Sequence, residues 1–162
     1  MEVEFNGVIT AFDKIPPGGF FMFDLMTVGA FGLCVEFAQK KNAAISFPTA
    51  KSKDRLGWIQ SVGLQPQTFI HFPKAVLRPA MSSAIQAGAA APGASLICEG
   101  KKRFIRGHEN QGYHFTTFNI ETGLVETPAG QNTVYFTGWS VGHVLGDRFD
   151  PIYSYPPATQ AA

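Results

Sequence analysis

Apolar residues in this chain come in short β-branched and aromatic runs, each closed within a few residues by Gly, Pro, Asn or Asp. Val3–Phe12, Phe20–Phe23, Phe31–Phe37, Ala43–Phe47, Gly57–Ile59 and Gln67–Phe72 have this form. So do Ser95–Ile97, Tyr113–Ile120, Leu124–Glu126 and Thr133–Thr137. Sustained helical periodicity is scarce. Runs this short, punctuated by turn formers, are what strands of a β-sheet require. The pattern therefore predicts an all-β, strand-dominated fold: a compact barrel or sandwich of roughly eight to ten short antiparallel strands on the usual ~8–12-residue spacing. Glu121-Thr122-Gly123 and Pro128-Ala129-Gly130 read as hairpin turns, and Lys40-Lys41-Asn42 as a solvated hairpin tip.

The middle of the chain differs. Ala80–Ala87 is rich in good helix formers and predicts one short helix near 80–87. The Ala/Gly/Pro stretch at 88–93 then reads as the one plausible linker. Across it, Leu33-Cys34-Val35-Glu36 is echoed by Leu96-Ile97-Cys98-Glu99, and Gly57-Trp58 by Gly138-Trp139. The expectation is a single domain over 1–162, with pseudo-duplicated halves 1–79 and 93–158 as its variant. The spacing between echoes drifts, and a fixed period is what marks a true repeat. Beyond Pro151 the tail carries Tyr153, Tyr155, Pro156 and Pro157 and reads as extended chain on the surface.

Charge and cysteine content narrow the function classes. Charged residues make up 15% of the 162 residues, against ~25% in typical globular proteins. The net charge is +1, so no whole-molecule field steers the chain onto nucleic acid or an anionic membrane. No apolar run approaches the ~20 residues of a membrane-spanning helix. The N-terminus, Met1-Glu2-Val3-Glu4-Phe5, is acidic where a signal peptide is basic. A cytoplasmic, membrane-free protein is expected. Cys34 and Cys98 both lie in apolar strand-like contexts and read as buried free thiols.

Several motifs carry potential chemistry. Gly138-Trp139-Ser140-Val141-Gly142 matches G-x-S-x-G and follows a strand, as a nucleophile elbow should. No histidine follows either later acid, so the acid-then-histidine order of that architecture is missing. His143 and Asp147, four apart, would pair only on a helix. Ser140, His143 and Asp147 are thus weak catalytic candidates, and Asp147 and Asp150 beside Arg148 read as a turn or a surface ion pair. Of the four histidines, His71, His108, His114 and His143, only His108 and His114 could meet across one hairpin, with Glu109 near by. They are weak metal candidates, since no close ligand pair accompanies them. Walker-A and dinucleotide glycine fingerprints are absent, and no cofactor is expected.

The strongest binding signal is the basic-aromatic stretch 101–115. Lys101, Lys102, Arg103 and Arg106 could hold phosphates while Tyr113 and Phe115 stack on bases, as β-surfaces do with single strands. A solvent-facing edge strand blunted by lysines accounts for the same residues. The leading expectation is non-enzymatic: a structural or protein-interaction module, self-assembling or bound to a protein partner. Low charge and an excess of phenylalanine, fifteen Phe beside four Tyr and two Trp, motivate it. A nucleic-acid or polyanion-binding β-domain is the alternative, and a small hydrolase around Ser140 the last. Phe21, Phe31, Phe115 and Phe149 are the candidates for rings left outside a core.

Overall fold

A computed structural model describes residues 6–23, 30–38, 40, 42–49, 57–62, 68–86, 91–109 and 114–156. Fourteen strands occur among them: β1 (Val8–Thr10), β2 (Phe20–Phe23), β3 (Ala30–Cys34), β4 (Ala43–Phe47), β5 (Trp58–Ser61), β6 (Phe69–His71) and β7 (Val76–Pro79) follow in order. After these come β8 (Ala84–Ile85), β9 (Leu96–Glu99), β10 (Lys102–Glu109), β11 (Phe115–Asn119), β12 (Thr133–Phe136), β13 (Trp139–Leu145) and β14 (Arg148–Tyr155). The all-β class holds, with more strands than the spacing predicts. Eleven form one sheet in the order β1-β6-β2-β3-β4-β5-β10-β9-β12-β8, with β11 branching from β10. The other three form a small sheet, β14-β13-β7. The large sheet's end strands, β1 and β8, do not pair with each other among the described residues, so no barrel closes.

The two sheets meet face to face through aromatic side chains. Phe31, Leu33, Ile45, Phe47, Ile59, Ile105 and Phe118 of the large sheet share one buried cluster with Trp139, Val141, Tyr153 and Tyr155 of the small one. Tyr153 stacks on Phe31 at 4.4 Å between centroids, and Trp139 meets Phe47 edge-on at 4.9 Å. Offset and edge-on pairs of this kind contribute about 0.5–1.5 kcal/mol each beyond the area they bury. Polar ends are satisfied by backbone. Trp139 Nε1–H donates to the Ala94 carbonyl at 2.7 Å, and the Tyr153 hydroxyl to that of Pro48 at 2.6 Å. A second, smaller core lies on the opposite face of the large sheet. There Phe12 and Ile15, in and just after a 3-10 turn (Phe12–Lys14), cover Phe21, Cys34, Ala44 and Phe69.

Four expectations change. First, the helix expected near 80–87 does not form over its described residues, 80–86: a single 3-10 turn, Met81–Ser83, leads straight into β8. Eight residues fall short of the ~12–15 at which even good helix formers hold a helix alone. Pairing with β12, and the Gly138 N–H bound by Ser83 Oγ, prevail instead. Second, the tail as far as Tyr155 is a core strand and not surface chain, since Tyr153 and Tyr155 of β14 are buried in the main core; Pro157 lies outside the described residues. Third, one strand pair is parallel: β10 runs antiparallel to β9 over 102–105, then alongside β5 at 108–109. β5 and β10 are not hairpin neighbours, so no short loop imposes their direction. Fourth, Phe21 and Phe31 are buried, at 0% and 1% exposure.

The linker region also takes a structural part. Residues 88–90 lie outside the described residues, but Ala91, Gly93, Ala94 and Ser95 are buried and accept bonds from Arg106, Tyr155 and Trp139. Strands from 1–79 and from 93–158 share both sheets, through β5 with β10 and β7 with β13. Both cysteines are free thiols, Cys34 buried and Cys98 half-buried. Burial pushes Cys34 up to about 11, so it is a packing group at neutral pH. Among the described residues no helix is long and apolar enough to cross a membrane.

Candidate interaction surfaces

Two surfaces draw together the residues singled out in the sequence. The first is the β10–β11 hairpin. Strand alternation sends its cations to different sides, since successive residues point to opposite faces. Lys102 pairs with Glu126, whose other oxygen accepts from Asn119. Arg103 donates to the carbonyls of Gly100 and Lys102. Arg106 reaches the Ala91 carbonyl at 2.9 Å and lies 4.4 Å above the Phe115 ring. Lys101 stands exposed in the turn before β10. Three of the four predicted cations are thus already held by the protein, and Tyr113 lies outside the described residues.

Phe115 is 38% exposed and packs against His108, which in turn meets Trp58 edge-on. The register places Phe115 directly across from His108. His114 lies just before the paired strand and is exposed, whereas His108 is half-buried. No group of three or more metal-ligating side chains exists among the described residues. His108 Nδ1 is buried with no hydrogen-bond partner among them, as is Nε2 of His143.

The second surface is the small sheet. Gly138–Gly142 does not turn sharply: it runs into β13, where Ser140 pairs with Ser154 and their hydroxyls are 3.0 Å apart. Ser140 faces outward, whereas His143, three residues on, faces the core beside Phe72. An odd separation on a strand puts the two on opposite faces, so serine and imidazole form no nucleophile–base pair. Asp147 sits in the β13–β14 turn, and no ion pair joins Arg148 to Asp147 or Asp150 among the described residues.

Beyond Ser140 and Ser154, the outer face of this sheet turns apolar towards the β13–β14 hairpin, where a sandwich usually turns polar groups to water. Val76 of β7 and Val144 of β13 are 40% and 49% exposed on this face, whereas Leu145, the next residue, points to the other side. Between the two valines Gly142 leaves no room for a side chain: a Cβ there would come within 2.2 Å of the Asp150 carbonyl oxygen and within 2.8 Å of Cζ of the Phe149 ring. The Arg78 guanidinium stacks on that ring at 4.4 Å. Phe149 is foreshadowed by the phenylalanine excess, but Val76, Arg78 and Val144 are not. Only the register of three strands reveals that they share a face. Comparison of the chain with protein-family models, curated proteins and solved structures returned no match.

Proposed function

We propose that this protein is a non-enzymatic interaction module that associates with a second copy of itself through the outer face of the β14-β13-β7 sheet. The observation that carries the reading is the apolar part of the outer face: Val76 and Val144 exposed around the Phe149–Arg78 stack. Aromatic residues and Arg are enriched at interface centres, where they combine large contact area with a polar handle. A second copy suits the charge. Arg78 lies over the face while Asp147 sits in the turn at its hairpin end, so a two-fold pairing brings opposite charges together. A net charge of +1 adds little long-range repulsion between copies. Face rather than edge is the contact, because Pro151 and a bulge in its pairing with β13 blunt β14.

Light scattering over a concentration series tests the reading. A dimer that Val144→Lys turns into a monomer supports it, and a strict monomer at high concentration ends it. The alternative is polyanion binding at Arg106 and Phe115, favoured by a cation and an exposed ring in contact. Oligonucleotide binding at low salt, lost in Arg106→Glu, would support that alternative.

A further inference from the structure

Where the two sheets join, a groove of about 440 Å³ runs between the Pro16–Phe20 turn, the His71–Leu77 segment and the wall formed by Arg103, Ile120 and Glu121. That is within the range of small-molecule sites, about 300–1,000 Å³. Its walls are pinned. Gly18 N–H donates to Cys34 at 2.7 Å, Phe72 N–H to Phe20 at 3.0 Å, and Ile120 N–H to Arg103 at 3.0 Å. Two glycine turns are clamped together at one end: a Cβ on Gly123 would come within 2.4 Å of Gly18 N. A groove held this way is formed before any ligand arrives, which lowers the cost of binding.

Its chemistry is divided. Phe20, Phe72 and Ile120 give it a buried apolar floor. Around this lie three titratable residues from three separate segments, Arg103, Glu121 and His71. Bonds from one nitrogen of Arg103 to two carbonyls fix the guanidinium in place, and the rest of its fork is unengaged among the described residues. The Glu121 carboxylate and the His71 imidazole have no side-chain partner among the described residues, and Arg103 and Glu121 do not pair with each other. Opposite charges that share an apolar groove without meeting can each take a counter-charge from one ligand.

We infer that this groove binds a dipeptide-sized zwitterion with an apolar body, its carboxylate on Arg103 and its ammonium on Glu121. The site is separate from the proposed self-association, and binding does not depend on it. Leucyl-phenylalanine is the probe, titrated into the full chain and followed by amide NMR. Saturable shifts at Gly19, Phe72 and Ile120 are expected. The N-acetyl and C-amide derivatives should each bind about tenfold more weakly, the loss of one charge-assisted hydrogen bond. In Arg103→Gln the acid and its amide should bind alike, and in Glu121→Gln the free and acetylated amines should. No saturable shift with millimolar dipeptide overturns the inference. So does equal binding of all three ligands to the unaltered chain, a comparison that needs no variant to fold.

Discussion

Phe21 and Phe149 each lie against a glycine of the next strand and meet opposite fates. Each ring lies across a glycine of the neighbouring strand: Phe21 over Gly32, where a Cβ would fall 2.7 Å from its Cζ, and Phe149 over Gly142, at 2.8 Å. Each sits on the face of its sheet turned away from the main core. Phe21 is nevertheless fully buried, because the segment carrying Phe12 and Ile15 folds over it; Phe12 meets it edge-on at 5.3 Å. Among the described residues Arg78 stacks on Phe149, which is half-buried. A ring on an outer sheet face is thus a core residue or a surface residue according to whether the chain supplies a cover. The large sheet carries its own cover, and the small sheet, on our reading, takes one from a second copy.

The largest effect should come from the covered side. Phe21→Ala removes a fully buried ring and should cost about 3–5 kcal/mol in chemical denaturation. Phe149→Ala should change stability by no more than about 1 kcal/mol, because water already reaches the ring. Equal losses at the two sites would break the contrast. Removing the cover sharpens it: Phe12→Ala should also cost about 3–5 kcal/mol and should make the large sheet's outer face bind a hydrophobic dye. Val144→Lys should leave the unfolding midpoint nearly unchanged while abolishing self-association, a separation visible by comparing melts with light scattering.

A pH titration contrasts the two regions more gently. Cys34 belongs to the covered core, and burial raises it to about 11 from an ordinary 9.0. The folded state holds this proton more tightly than the unfolded chain does. Stability is therefore complete below about pH 9 and is lost as pH rises towards about 11. Burial also raises Tyr153 and Tyr155, which adds to the loss at still higher pH. Cys34→Ala should flatten the first part of that decline. On the acid side, burial lowers His71, so the unfolded chain takes up its proton first and stability should fall as pH drops below about 6.5. The smallest change is expected from Lys102→Ala, since its pairing with Glu126 lies in water.

Strand identity was legible wherever apolar residues ran unbroken between turn formers. β2, β4 and β11 lie within the ranges their sequences predict. β13 and β14 were hidden, because Gly142, Gly146 and Pro151 interrupt the alternation that identifies a strand. A bulge between Val141 and Gly142 absorbs that irregularity in the folded pairing, and no local pattern announces it. The 101–115 stretch was visible as charge. That Lys102 is spent on Glu126, and that Arg106 rather than a ligand covers Phe115, depends on residues 24 and 9 positions away. The groove left no local signal at all, since Arg103, Glu121 and His71 come from separate segments.

The sequence by itself determined that this chain builds sheets, that charge does not organise it, and that phenylalanine supplies much of its apolar mass. These follow from composition and from runs only a few residues long, where local sterics and turn chemistry act. Tertiary structure alone decided which phenylalanines are inside, which cations are free and where three titratable residues surround one groove. Each depends on strand register between segments far apart in the chain. A one-residue shift in register would move every side chain of a strand to the other face, and no short stretch of sequence specifies it alone.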